Sequence, residues 1–302
     1  MQLIKPDVNF DFVGKRNLAL IISVTLILIG LASLIVKGGP NYGIDFAGGT
    51  LVQVQFSQPT DATAIKKSLD TLELGSAVVQ RFGDNQNEFL IRVEQASSEL
   101  KGLSLEIQNA LEQSYDKGSV DIRRVEMVGP QVGKDLRGKG LKAIFYAMLG
   151  ILAYISWRFE FRFAVGAIVA LIHDVVITLG IFSLFGKEID LPIIAAFLAI
   201  IGYSLNDTII VYDRIRENRG KHNKETFPFI VNRSINETLS RTLLTSGTTL
   251  LVVLALFILG GGVIHNFAFA MLVGVLIGTY SSIFVASPVL IFWEEKNPSR
   301  TS

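Results

Sequence analysis

The 302-residue chain contains no cysteine. Thiol catalysis, iron–sulfur ligation and disulfides are therefore excluded, and any part outside a membrane must fold without covalent staples. Charge is also scarce. Asp, Glu, Lys and Arg make up 18% of the residues, below the roughly 25% of soluble domains. The net charge is only +1, so no basic excess points to nucleic acid. None of the three histidines falls between Lys37 and Gly140, which removes a Ser-His-Asp hydrolase site from that stretch. Gly260-Gly261-Gly262 is not followed by Lys-Ser/Thr, so it reads as a turn between helices rather than a phosphate loop.

What the chain does have is apolar length. Half its residues are hydrophobic and the mean hydropathy is +0.45. Six runs are long enough, or nearly so, for the roughly 17–25 residues of a membrane span. They are Leu18–Val36, Leu141–Trp157, Phe163–Phe185, Leu191–Tyr212, Leu243–Leu259 and Phe267–Trp293. The second and fifth are short, and the last is long enough to tilt or project. The first could pass for a cleaved signal peptide, but its apolar stretch is too long, and the small pair Gly30 and Ala32 lies inside it. Lys and Arg cluster at the N-terminus, between runs two and three, between runs four and five (residues 213–241) and at the C-terminus. By the positive-inside rule both termini are cytoplasmic. The rule is weak for the long segment that holds Lys134, Arg137, Lys139 and Lys142. The loop at 213–241 is mainly a topology signal, with contact to anionic lipid as a further option.

Residues 1–36 then form the cytoplasmic N-terminus and the first helix, 37–140 an outer domain, and 141–302 helices two to six. The outer segment has a readable pattern. Val52, Val54 and Phe56 alternate with Gln53 and Gln55 as a half-buried strand. Thr60-Asp61 caps a helix through Ile65, Leu69 and Leu72. Val78–Phe82 and Glu88–Val93 form a hairpin around a polar turn at Gly83–Asn87. Ser97 and Ser98 open a second helix with Leu103, Ile107 and Leu111 on one face. Val120–Val128 is a last strand. The order β-α-β-β-α-β is that of a ferredoxin-like α+β domain. Its Gly-rich flanks, Val36–Pro40 and Gly129–Gly140, are expected to hinge.

Asp207 lies in the fourth run, where an ionised carboxylate costs roughly 2.5–3.5 kcal/mol on insertion scales. Entered from outside at about 1.5 Å per residue, the helix carries it roughly 24 Å down, into the inner half of the bilayer. Arg241 opens the fifth run from the cytoplasmic side, so the two charges can approach. Of the pair only the carboxyl exchanges a proton, because a guanidinium stays charged. The other reading is a static ion pair that fixes helix packing, or an Arg241 that snorkels from a helix end. Ser240, Thr242, Thr245, Ser246, Thr248 and Thr249 carry the polarity onward and weigh against snorkelling. His173-Asp174 sits near the middle of the third run and is either a secondary relay or a structural hydrogen bond. Ser204 and Asn206 read as helix–helix hydrogen bonds rather than ligands, Asp213 as the partner of a nearby Arg, and His222 and His265 as solvated loop residues. Gly274 and Gly278 are a small-xxx-small packing signal.

Several motifs then add up. Tyr42-Gly43-Ile44-Asp45-Phe46-Ala47-Gly48-Gly49-Thr50 follows the first run and Val128-Gly129-Pro130-Gln131-Val132-Gly133 precedes the second. His173-Asp174, Gly202–Thr208, Asp213–Glu217 and Ser240-Arg241-Thr242 follow in order. The set, covering nearly the whole chain, resembles the SecF family of the Sec protein-export machinery. The resemblance implies a SecD partner, association with the SecYEG channel, and use of the proton motive force to help draw unfolded preproteins out at the outer face of a prokaryotic inner membrane. It places the family's membrane carboxylate at Asp207 and its arginine at Arg241. It implies no enzymatic activity, cofactor or metal, and the carboxylate suits protons or sodium. Two rival readings remain: half of an RND-type small-solute exporter, which needs larger outer domains, and an intramembrane aspartyl protease using Asp174 and Asp207. The Ser-Leu-Asn-Asp setting of Asp207 lacks the Gly-x-Gly-Asp pattern of such a protease.

Overall fold

In the computed structural model, the described residues are 8–72, 77–82, 86–93, 100–222 and 224–296. Helix α1 (Arg16–Val36) ends in a turn through Gly38 and Gly39, both with positive φ. A short helix α2 (Ile44–Ala47) leads to β1 (Gly49–Phe56), α3 (Ala62–Leu69), β2 (Val78–Arg81), β3 (Glu88–Val93), α4 (Leu100–Ser114) and β4 (Val120–Val128). The strands form one antiparallel sheet in the order β2-β3-β1-β4. This is the expected ferredoxin-like unit. Val52, Val54 and Phe56 of β1 and Phe89, Ile91 and Val93 of β3 point into a core closed by Ile65, Leu103, Ile107 and Leu111 of α3 and α4. The Asp61 carboxylate accepts from the Ala64 N–H at 2.8 Å and caps α3, as its place before the helix requires. The expected opening at Ser97 and Ser98 and most of the polar turn at 83–87 lie outside the described residues.

Among the described residues, six helices are long and apolar enough to cross a membrane: α1, α5 (Pro130–Arg158), α6 (Phe161–Leu184), α7 (Leu191–Lys221), α8 (Phe227–Leu259) and a composite sixth span. That span runs through α9 (Gly261–Ser281), a π turn (Ser282–Ala286) and α10 (Ser287–Lys296). Pro288 accounts for the π turn. It has no N–H to offer the Phe284 carbonyl and would clash with it in a regular helix. Widening one turn absorbs the misfit, and such π bulges often sit at functional sites.

Two expectations about the connections fail. The stretch 129–140 is not a hinge, because α5 starts at Pro130 and runs unbroken. Gly133 allows its backbone to lie against α2; a Cβ there would come within 3.1 Å of the Phe46 oxygen and the Gly48 nitrogen. The basic stretch 213–241 is mostly helix, the end of α7 and the start of α8. Many of its charges are paired. Arg214 reaches Glu217 at 2.7 Å and Glu237 at 3.2 Å, Arg233 reaches Glu237 at 2.9 Å, and Asp213 meets Arg216 at 3.3 Å and Arg158 at 3.7 Å. Helix continues past the apolar run because each turn finds a countercharge. Arg219 and Arg162 both reach Glu294 of α10, tying the same end together.

The first described residues form a strap. Asn232 and Asn236, one turn apart on α8, hold its main chain. Asn236 Oδ1 accepts from the Phe10 N–H at 2.8 Å and Asn232 Oδ1 from the Phe12 N–H at 2.9 Å. Both side-chain amides return a bond to the Phe10 carbonyl. The Phe12 ring packs edge-on against Phe284 in the π turn.

The sheet domain is joined to the helices at two places. One is the α2–α5 contact. The other is the α6–α7 connection, where Gly43 N–H binds the Ile189 carbonyl at 2.9 Å and Ile189 N–H the Asn41 carbonyl at 2.7 Å. Glu188 accepts from Arg92 of β3 at 3.2 Å and Gln80 of β2 at 3.1 Å. Asp190 caps α7 through the Ile193 N–H, and Asp45 accepts from the Leu191 N–H. Burial pushes the Asp190 carboxyl from its ordinary 3.8 up to about 6, with the nearby Asp45 and Glu188 charges adding to the effect, and burial raises Glu188 as well. A carboxyl whose proton affinity rises on folding contributes stability that is present below its unfolded pKa and lost as pH rises. Thermal stability is therefore expected to decline between pH 3.8 and about 6 on account of Asp190. Asp190→Asn should flatten that part of a pH–Tm profile.

Helices α1 and α6 touch at a pair of glycines. A Cβ on Gly180 would fall 2.6 Å from the Gly30 Cα, and one on Gly30 would fall 2.8 Å from the Gly180 Cα. Backbone cannot give way as a side-chain tip can. Gly180→Leu is expected to separate the helices at about 1–3 kcal/mol, read as a lower Tm in detergent with α5–α8 packing retained.

Candidate functional site

The helix core carries two fully buried carboxylates, Asp174 on α6 and Asp207 on α7. Their surroundings differ. Asp174 is saturated. Its Oδ2 accepts from Ser204 Oγ of α7 at 2.6 Å and Ser281 Oγ of α9 at 2.8 Å, and its Oδ1 lies 2.9 Å from His173 Nδ1. His173 Nε2 meets Ser23 Oγ of α1 at 3.0 Å. Ser23 is 3.1 Å from the Tyr280 hydroxyl, which donates to the Ala19 carbonyl at 2.7 Å. The Tyr280 ring stacks on His173. Four helices thus converge on one acid. Small residues make the approach possible. A Cβ on Gly278 would lie 2.9 Å from the Ser204 Cβ, and one on Gly274 would lie 2.2 Å from Ile200. The expected packing role of this pair is what lets α9 reach α7.

Asp207 lies three residues beyond Ser204, on the same side of α7. Its Oδ2 accepts one bond, from Ser246 Oγ of α8 at 3.2 Å, and Ser246 also meets Thr279 Oγ1 of α9 at 2.8 Å. Its other oxygen, Oδ1, is buried without a hydrogen-bond partner among the described residues. Arg241 is on the adjacent helix and its charge acts on Asp207 through space. No ion pair within 4.0 Å joins them among the described residues. Arg241 does not open its helix, since α8 begins well before it at Phe227. It is exposed and lines a cleft with Asn206, Asp213, Arg214 and Glu237. Of the polar residues that follow it, Thr245, Thr248 and Thr249 turn back on their own helix, while Ser246 leaves it.

Among the remaining expectations, Ser204 makes its helix–helix bond, and Asp213 pairs with arginines. Asn206 does not enter the core; it is exposed in the cleft with Arg241. His265 is not in a loop but in α9 and is only partly exposed. It stacks on Phe257 at 4.1 Å and its Nδ1 bonds the Phe257 carbonyl at 3.0 Å, closing the end of α8. His222 is the C-cap of α7 and half-exposed. Sequence reasoning missed Ser23, Tyr280, Ser281 and Thr279, single hydroxyls in apolar runs. Their spacing gives no signal, except that Thr279-Tyr280-Ser281-Ser282 is an uninterrupted polar step in an otherwise apolar span.

A six-span helical unit with a ferredoxin-like insert after its first span and buried carboxylates at its centre defines a polytopic transport protein of the membrane. Comparison with known proteins gives the particular kind. The family model for the protein export membrane protein SecD/SecF, C-terminal, matches residues 107–296, and the SecD/SecF GG motif matches residues 33–60. The protein translocase subunit SecF of Magnetococcus marinus is 50% identical over 297 residues, 97% of this chain and 95% of that one. That of Vibrio alginolyticus is 45% identical, over 96% and 91%. The crystal structure of SecDF, a translocon-associated membrane protein from Thermus thermophilus, aligns with a TM-score of 0.87 at 38% identity. That alignment covers 97% of this chain and 40% of the SecDF chain. A SecDF structure in a super-membrane-facing form aligns at 0.72 over 98% of this chain. The chain belongs to the SecF family of protein translocase subunits.

The two acids should respond differently to substitution. Asp174→Ala leaves three polar groups, Ser204, Ser281 and His173, without their partner. At about 0.6 kcal/mol for an average membrane hydrogen bond and up to about 1.7 for a strong one, the loss is about 2–5 kcal/mol. Asp207→Asn disturbs one bond and is expected to leave the stability within about 1 kcal/mol of wild type. Thermal unfolding of both variants in detergent checks this.

Proposed function

We propose that this chain works with a SecD partner in a complex that uses the proton motive force to assist preprotein movement through the SecYEG channel at the outer face of a prokaryotic inner membrane. It is a transport subunit rather than an enzyme, with both termini cytoplasmic and the sheet domain outside. Asp207 exchanges the proton and Arg241 is its charge partner. The observation that carries this reading is the contrast between the two acids. Asp174 has both oxygens hydrogen-bonded, whereas Asp207 Oδ1 is buried without a partner among the described residues, and Arg241 on the adjacent helix forms no ion pair with it there. A static ion pair would be closed. An open carboxyl oxygen next to an approaching and retreating guanidinium can bind and release a proton.

The exposure of Asn206 and Arg241 at membrane depth supports the partner. Polar groups there face a protein neighbour or water rather than lipid, and a SecD helix over this cleft supplies that cover. Proton passage across 100 mV is worth about 2.3 kcal/mol per charge, so several protons per cycle suffice to bias a helix rearrangement. The better alignment to one SecDF form than to the other fits a domain that moves in the cycle.

The test is export of a model preprotein into sealed vesicles, with and without a proton gradient, at matched complex levels. Asp207→Asn is expected to abolish the gradient-dependent late stage while assembly with SecD persists. A variant that still responds fully to the gradient would make the Asp207–Arg241 arrangement structural. Replacing the proton gradient by a sodium gradient identifies the coupling ion.

A further inference from the structure

The hydrogen bonds around His173 fix a proton count. The Ala19 carbonyl can only accept, so the Tyr280 hydroxyl spends its single proton there at 2.7 Å. The 3.1 Å contact between Tyr280 and Ser23 then needs the proton of Ser23. Having given it away, Ser23 can only accept from His173 Nε2 at 3.0 Å, so Nε2 carries a hydrogen. The remaining contact, His173 Nδ1 to Asp174 Oδ1 at 2.9 Å, needs one more proton between two atoms that both accept in their unprotonated forms. It lies on Nδ1, giving an imidazolium beside a carboxylate, or on Oδ1, giving a neutral ring beside a carboxylic acid. In either case the pair as a whole is uncharged.

Electrostatics leads to the same count independently. Asp174 is fully buried and His173 nearly so, and among the described residues no Lys or Arg pairs with either. Its other donors, Ser204 and Ser281, are neutral hydroxyls. A lone buried carboxylate at this depth would be an uncompensated charge in the membrane. A proton shared with the adjacent imidazole removes it.

We infer that His173 and Asp174 form a second proton-binding site, which holds one proton in the resting protein and is separate from Asp207. The two sites share a mechanical link. Ser204, which donates to Asp174, and Asp207 both belong to α7, so a displacement of that helix at Asp207 also withdraws a donor from the occupied site. The Ser23–Tyr280 chain leads from this site to α1, away from the cleft that holds Arg241.

The measurement is nitrogen-15 magnetic resonance of histidine-labelled protein, reconstituted with SecD in vesicles near neutral pH, paired with infrared difference spectra against Asp174→Asn. The chain has only three histidines, and the resonance lost in His173→Gln identifies the ring. Two protonated ring nitrogens with no carboxylic acid band support the site in its imidazolium form. An Nε2-protonated neutral ring, with a carboxylic acid band that disappears in Asp174→Asn, supports it in its acid form. A singly protonated ring beside an ionised Asp174 overturns it. Both variants serve only to assign signals read in the unaltered protein, and a through-space correlation between the Tyr280 ring and the His173 ring, which stack, assigns the same resonance without a variant.

Discussion

Hydrogen bonds into Asp174 hold the helix bundle in register. Hydrocarbon offers a carboxyl group no partner, so helices α6, α7 and α9 and, through His173, α1 must each bring one. The demand is geometric as much as energetic. Hydroxyls are short, and Ser204 and Ser281 can reach only if the backbones come close. Gly274 and Gly278 on α9 and the Gly30–Gly180 contact between α1 and α6 are consequences of that requirement. The π turn that Pro288 imposes begins one residue after Ser281, so Ser281 itself stays in regular helix.

The second acid inherits its position from the first. Asp207 follows Ser204 by three residues, so once Ser204 is fixed on Asp174, Asp207 is directed into the space between α7, α8 and α9. There it meets one hydroxyl rather than three donors. The two carboxylates are thus unequal in support although equally buried. A saturated group resists displacement, whereas an under-coordinated one has somewhere to go. At the other end of α7, Asp190, Asp45 and Glu188 bind the same helix to the sheet domain, so the under-coordinated acid and the domain sit on one rigid rod.

Much of this was legible in the chain because it is local. Apolar run length reveals the spans, alternation the strands, and Asp61 the helix it caps. Asp207 stands out because it interrupts an apolar run, and the Gly274–Gly278 spacing reads directly as close packing. What was not legible depends on contacts between distant segments. Ser23 and Tyr280 look like ordinary residues in apolar helices until α1 and α9 are brought together. Helix ends misled because apolar length marks where lipid stops, not where helix stops. Past Tyr212 the α7 helix is sustained by pairs such as Arg214–Glu237 and Asp213–Arg158, which join residues far apart in sequence. The glycines of 129–140 suggested a hinge, but Gly133 is there to admit the backbone of α2.

The N-terminal strap carries a consequence for how the chain comes together. Its main-chain groups at Phe10 and Phe12 are satisfied by Asn236 and Asn232, which lie 226 and 220 residues downstream. A ribosome delivers those asparagines only after the first four spans have left it. Until then the strap has no seat, and its N–H and carbonyl groups must stay in water or among lipid headgroups. A segment made before any of the spans is therefore among the last to be placed, and it fastens α8 to the π turn as the bundle closes.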